Sequence, residues 1–402
     1  MKKLLGLLLV LALVVPAKAD ILKNLKSTGE IQVIGDSVNR EFMGPGGSYS
    51  NITLRVLYGL NFDLAEDVKA NLTMAYYNMW GQNTGNGFMS TYHTGRPFQD
   101  YLNEVDLIEA NVVLSNLFDC LEAKVGRQFY GDEDSAIIYL GPNHYNTRQL
   151  DYRQAKSVDA AVISYAGEMV SWGFIYSKVN ELDTAANLDA TILGLDVKAN
   201  VNDNFKAQGY FYNFRNDDSS SFSSGTTEKY LGIYGAKGTF NADIFTLSAE
   251  YARNVGGEDA FDHDKGSLLK IDASVDLGAF TPRGTIVRAE NFRSYGNYRP
   301  GIIVGQEIES TTTMPQDLFF EDIFVGNLGV DMKFAALDKF VFSIDGFAFN
   351  DRNIKDSTSY EANAMAKYNM NPNVELHVAV GGFHEHSIDN VYKAQGGMLI
   401  RF

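Results

Sequence analysis

Blocks of about ten to twelve residues in which every second side chain is apolar recur along the whole chain, and few folds accept that pattern. Ile52, Leu54, Val56, Tyr58, Leu60 and Phe62 share one parity. Thr53, Arg55, Gly59, Asn61 and Asp63 share the other, where Leu57 is the apolar exception. Leu269, Ile271, Ala273, Val275 and Leu277 alternate with Lys270, Asp272, Ser274 and Asp276. Val374, Leu376, Val378 and Val380 alternate with Glu375 and His377. Period two is the signature of a strand with two unlike faces. Beyond the first residues no apolar run reaches the roughly 18 needed for a spanning helix. A soluble sandwich would produce the same local alternation, so the connections must decide between the two.

The connections alternate in length. Blocks start near Glu30, Ile52, Val68, Val105, Leu121, Val158, Met169, Leu188, Phe205, Tyr230, Ile244, Leu268, Arg283, Ile323, Phe340, Tyr360, Val374 and Val391. Tight joins carry turn formers: Ala65-Glu66-Asp67, Ser115-Asn116, Ala166-Gly167, Asn202-Asp203-Asn204, Asn241-Ala242, Gly278-Ala279, Leu337-Asp338 and Asn371-Pro372-Asn373. Between them lie longer polar or Gly-rich segments, among them 81–103, 131–155 and 293–319. Short turns on one side and long loops on the other, with an even count, mark an all-β transmembrane antiparallel up-and-down barrel. About eighteen strands are predicted, with short periplasmic turns, long extracellular loops and one domain over 20–402.

The N-terminal residues agree. Lys2 and Lys3 precede an apolar run from Leu4 to Val15, and Ala17-Lys18-Ala19 supplies a small-x-small site, so 1–19 reads as a cleaved signal peptide. The expected destination is the bacterial outer membrane. One cysteine, Cys120, excludes an intrachain disulfide. Loss of the leader with its three lysines takes the formal charge from −16 to −19, the wrong sign for a nucleic-acid partner. With 22 Tyr and 26 Phe the chain is too aromatic for an acidic disordered protein. Tyr392, Ala394, Gly396, Met398, Ile400 and Phe402 form a last alternating block that ends on an aromatic, the kind of signal read by the barrel-assembly machinery. Lipid, lipopolysaccharide, that machinery and small hydrophilic or saccharide solutes are therefore the expected partners. No cofactor or metal site is expected: His384 and His386 lack a third ligand.

Residues 125–163 carry a more particular pattern: Val125-Gly126-Arg127-Gln128, Tyr130-Gly131-Asp132-Glu133, Gly141, Asn146, Arg148, then Ser157-Val158-Asp159-Ala160. This resembles the alginate-export family of outer-membrane channels. The resemblance implies an eighteen-stranded barrel, a functional basic residue at Arg127, and a channel for an anionic or polyhydroxylated solute.

A barrel of this size cannot be filled by strand side chains, so charges on the polar parity set selectivity. By parity Arg55, Lys69, Lys124, Lys198, Lys206, Lys270, Arg288, Lys367, Lys393 and Arg401 are expected inside, with Glu109, Glu122, Asp196, Glu250, Asp272, Glu290, Glu361 and Glu375. Arg127 falls on the apolar parity; a bulge at Gly126 is expected to turn it inward, the alternative being a place at the outer rim. Loop 131–155, with Asp132, Glu133, Asp134, His144, Tyr145, Arg148 and Arg153, is the first candidate for a constriction, and loop 293–319 the second. Two channel readings follow: passive diffusion of small hydrophilic solutes, or a specific path for an acidic poly- or oligosaccharide, which calls for a basic constriction. An enzyme is not expected, since no Gly-x-Ser-x-Gly elbow is present. An adhesive surface protein with a blocked pore is the remaining reading.

Overall fold

A computed structural model describes residues 23–39, 49–80, 105–142, 157–180, 189–216, 230–256, 266–296, 298, 300–304, 318–320, 323–351, 358–385 and 388–402. Within them one sheet holds eighteen strands. In chain order these are β1 Lys23–Val38, β2 Tyr49–Ala65, β3 Val68–Met79, β4 Val105–Leu117, β5 Leu121–Gln128 and β6 Val158–Ala166. Then come β7 Val170–Asn180, β8 Asp189–Asn200, β9 Phe205–Asn216, β10 Tyr230–Ala242, β11 Phe245–Val255 and β12 Ser267–Val275. The last are β13 Phe280–Glu290, β14 Ile323–Met332, β15 Phe340–Asp351, β16 Thr358–Asn371, β17 Val374–Glu385 and β18 Ile388–Arg401. Each strand pairs antiparallel with its neighbour in sequence, and β18 closes on β1.

Observed starts fall within three residues of the predicted ones for every strand but the first, which begins at Lys23 rather than Glu30. Lys23–Thr28 has no alternation to betray it; its pairing with β2, Lys23 against Asp63 and Lys26 against Asn61, makes it a strand. The tight turns form as their residues dictate. Asn202 Oδ1 accepts from the N–H of Asn204 and Phe205 at 3.0 and 2.8 Å, Asp276 Oδ1 from Gly278 at 2.9 Å, and Asn371 Oδ1 from Asn373 at 2.8 Å. The turn expected at Ser115-Asn116 lies further on: β4 continues to Leu117 and the chain reverses through Phe118 and Asp119, both at positive φ.

Alternation sorts the side chains into two environments. Val378 and Val380 expose 61% and 56% of their surface on the outside, while His377 and Ala379, on the other parity, turn inward and are 3% and 2% exposed. The same split separates Leu193, Leu195 and Val197 outside from Ile192 inside. An apolar band that remains exposed on a closed barrel is the face that meets lipid. Leu57 follows its strand's polar parity inward, where it packs against Ala75, Tyr77, Ile108 and Phe129. A register shift between Thr73 and Met74 accommodates Ile108 in that cluster. Placing an arginine at Leu195 is expected to destabilise the barrel in bilayers by about 2–4 kcal/mol. Urea unfolding in lipid vesicles would read this; an unchanged midpoint would mean that the outer face does not meet hydrocarbon.

Candidate functional site: the lumen and its inward loops

Two inter-strand segments turn into the barrel. The first follows β5. Tyr130–Gly131 pairs with Tyr139–Leu140, and Gly131, at φ +87°, sits where a Cβ would lie 2.3 Å from the Ile138 carbonyl oxygen. Ser135 Oγ accepts from the N–H of Ile137 and Ile138 at 3.1 and 3.2 Å, which tightens the tip. The second follows β13, where Phe292–Ser294 pairs with Leu318–Phe320. The segments bind each other: Tyr295 N–H donates to Ile137 O at 2.9 Å, Tyr139 N–H to Tyr295 O at 3.0 Å, and Ser294 Oγ to Ala136 O at 2.6 Å. Gly296 permits this approach, since a Cβ there would meet Ala136 backbone at 2.2 Å.

Both segments pack on the barrel's inner wall. Ala136, Ile137, Ile138, Leu140, Phe292, Ile302 and Ile303 form one buried cluster with the inward-facing Ile175, Ile233, Leu268, Val287 and Val325. Tyr295 stacks on Phe214 at 3.9 Å, and the Lys270 ammonium lies 5.0 Å from the Tyr298 ring centre. Asn254 of β11 exchanges two hydrogen bonds with the Arg293 backbone, at 2.8 and 2.9 Å. Glu361 of β16 fastens the far end, its carboxylate accepting from the N–H of Ile302, Ile303 and Val304 at 2.6, 3.0 and 2.9 Å, and from Asn363 Nδ2 at 2.7 Å. Burial pushes the Tyr130 phenol up to about 12, and raises that of Tyr139 with help from Glu133. Both remain neutral: Tyr139 donates to Pro142 O at 2.5 Å and Tyr130 shares a 3.4 Å bond with Tyr212.

Among the described residues of loop 131–155 the stretch that packs on the wall is apolar, Ala136, Ile137, Ile138 and Leu140, while His144 and Tyr145 of the expected eyelet lie outside the described residues. Asp132 stands beside Lys198 at 3.3 Å, both exposed. Arg148 and Arg153 lie outside the described residues, as does the leader.

Many of the inward charges among the described residues come in pairs. Arg55 meets Glu30 at 2.7 Å, Lys393 meets Asp36 at 3.8 Å, Lys270 meets Asp272 at 3.4 Å, Lys367 meets Glu375 at 3.2 Å and Lys124 meets Glu109 at 3.6 Å. Tyr210 donates to Glu250 at 2.8 Å. Lys69, Glu122 and Lys206 keep the inward parity near the short-turn end, opposite Asp63, Ser164 and Thr239. Amides fill the spaces: Gln32 and Gln395 are buried on the inner wall, with both polar atoms of each lacking a partner among the described residues.

Three expected pore residues lie elsewhere. Arg127 stays on the outer parity, across from Ala110 and Asp159, and grips the Asp159 carboxylate with two bonds of 2.9 Å. Gly126 is irregular, at φ +119°, but Gln128 is the side chain that turns in, bonding the carbonyls of Lys124, Gly126 and Ala160. Arg288 and Glu290 also face outward, paired with each other and set across from Leu269 and Ser267. Ile286-Val287 puts two apolar residues in succession, so the sequence does not fix the parity there. The inward arginine of that strand is Arg283, which the sequence reading missed. Its guanidinium binds Asp331 through bonds of 3.1 and 2.9 Å and reaches across Gly329 to Asp345, which Asn327 also bonds at 3.2 Å. A Cβ at Gly329 would overlap the Arg283 guanidinium and the Asp345 carboxylate. The signal was a glycine on the polar parity between an arginine and an aspartate.

No protein-family model matches the chain, and neither does any curated protein. Solved structures do match. Pseudomonas aeruginosa OpdL superposes with a TM-score of 0.64 at 10% identity, over 94% of this chain and 99% of that one. Pseudomonas aeruginosa OccK2 (OpdF), solved in complex with glucuronate, gives 0.63 at 8% identity over 95% and 99%. Acinetobacter baumannii OccAB4 gives 0.58 at 10% identity over 94% and 98%. The fold is therefore that of the eighteen-stranded outer-membrane porins.

Proposed function

We propose that this chain is an outer-membrane channel for passive diffusion of small hydrophilic solutes, with weak preference between cations and anions. The pairing of inward charges carries the reading. A ring of uncompensated bases would draw anions, whereas neighbouring opposite charges largely cancel beyond a few ångströms. The exposed apolar belt supports residence in the outer membrane, reached with a cleaved leader over 1–19 and the assembly machinery acting on the strand that ends at Phe402. The reading assigns no catalysis and no cofactor.

The second reading is a specific path for an acidic saccharide, in line with the resemblance at 125–163 and with the glucuronate bound to OccK2. Two observations set it second: Arg127 is spent on Asp159 outside the pore, and the inward Lys124, Lys270, Lys367 and Lys393 each stand beside an acid. Single-channel recording of the refolded protein in a planar bilayer tests the choice. A reversal potential under a salt gradient corresponding to a permeability ratio between about 0.5 and 2 is expected. Strong anion selectivity would favour the acidic-saccharide path, and absence of conductance from a folded barrel would remove both.

A further inference from the structure

The two inward segments touch the barrel wall at both ends of one register row that crosses β8 to β12. Lys198 lies across from Gln208, Gln208 from Lys237, Lys237 from Glu250 and Glu250 from Lys270. The first segment reaches one end of the row through Asp132, 3.3 Å from Lys198. The second reaches the other end through Tyr298, whose ring centre lies 5.0 Å from the Lys270 ammonium. Lys237 of β10 stands midway. Toward the long loops, the next inward residues of its strand are Gly235, whose Cβ position is taken by the Tyr210 hydroxyl, and Ile233, buried with the inward segments. Lys237 is therefore the first inward side chain of β10 to emerge from beneath them, and it is half-buried.

Its charge is also uncommitted. Glu250 is buried and takes the Tyr210 hydroxyl, Asp196 accepts from Gln208 Nε2, Lys270 has Asp272 and Lys198 has Asp132. Lys237 has no hydrogen bond or ion pair among the described residues. Lys26, Lys69 and Lys206 share that state, but they stand at the short-turn mouth. Lys26 lies near the start of β1, across from Asn61, and the other two are each the second residue of a strand. Lys237 is the sixth residue back from the end of β10 at Ala242. A fixed charge acts on ions within the screening length, about 8 Å at physiological salt, so in a wide lumen it counts most where inward segments narrow the passage. The strand hides this residue from sequence inspection, because Gly232, Gly235 and Gly238 erase the alternation that would mark it as inward.

We infer that Lys237 sets the sign preference of the pore, drawing the anionic groups of permeating solutes into the gap between the two inward segments. The inference rests on the channel reading and adds to it the residue that decides between anions and cations. Reversal potentials of the refolded full chain in planar bilayers under a KCl gradient test it. The parent is expected to pass chloride slightly better than potassium, within the weak preference given above. K237E is expected to lower the chloride-to-potassium permeability ratio about fourfold near 0.1 M salt. The shift should shrink to less than about 1.5-fold near 1 M, where the screening length is about 3 Å. K237Q should lie between the two, and replaces K237E if a glutamate beside Glu250 prevents folding. K237R should keep the parental ratio. K26E makes the same change of charge at the mouth and is expected to shift the ratio by less than about 1.5-fold. A ratio indifferent to residue 237, or one that K26E shifts as far as K237E does, would overturn the inference and leave the channel reading standing. A folded parent that carries no current would overturn both.

Discussion

Replacing Glu361 by alanine is expected to release the inner end of the second loop and widen the pore. Three consecutive backbone N–H groups, those of Ile302, Ile303 and Val304, converge on this one carboxylate in a buried position. Removing the acceptor leaves them unsatisfied at about 1–3 kcal/mol each, more than the apolar contacts of so short a segment return. The segment should therefore leave the wall, raising single-channel conductance about twofold and adding open-channel noise. Glutamine keeps one acceptor oxygen and should give an intermediate result. Parental conductance in the alanine variant would mean that the contacts of Ile137 and Tyr295 hold the loop without this anchor.

The second large effect is expected at Arg283. Asp345 is completely buried and Asp331 partly so, and the guanidinium between them is their shared countercharge. Arg283→Ala strands both acids, at a cost of about 3–5 kcal/mol, and should lower the urea midpoint or prevent the heat-modifiable folded form from accumulating. Neutralising both carboxylates in the same background, as D331N/D345N, should recover most of the loss. A failure to recover would show that packing around Gly329, not charge, is what the arginine supplies.

These two residues differ in how far sequence could reach them. Barrel architecture is written locally: a strand needs only its alternation, and a turn only an Asn or Asp that caps its own backbone, so β5, β9 and β17 could be located by inspection. Glu361 was assigned to the interior by the same rule, yet its role depends on a segment 57 to 59 residues earlier in the chain. Arg283 and Arg288 show the opposite failure. They stand five apart in one strand and so must face opposite ways, but Ile286-Val287 is apolar on both parities and cannot say which is inside. At Gly126 the positive φ was foreseeable from glycine, but the bulge expected there does not form: pairing continues through it without a register shift, so Gln128 keeps the inner parity and Arg127 stays at the rim with Asp159. Loop 131–155 was selected for its charges, whereas its inward course depends on Ala136–Leu140 finding apolar partners on β7, β10 and β12 that no local pattern reveals.

The seam between β1 and β18 has a kinetic consequence. Its register runs from Glu30 against Arg401 to Val38 against Lys393, with Gly29 and Phe402 exchanging backbone bonds at 2.7 and 3.0 Å beyond it. All other pairings in the barrel join neighbours in sequence and can zip up from hairpins; this one joins segments more than 350 residues apart and has the largest single closure cost in the barrel. Until it forms, the meander presents two long unpaired edges to any other strand nearby. Closure is thus expected to be slower than hairpin formation and to compete with pairing between copies, and the ring of Phe402 over Gly29, where a Cβ would lie 2.3 Å from its Cζ, acts at the last rung of that seam.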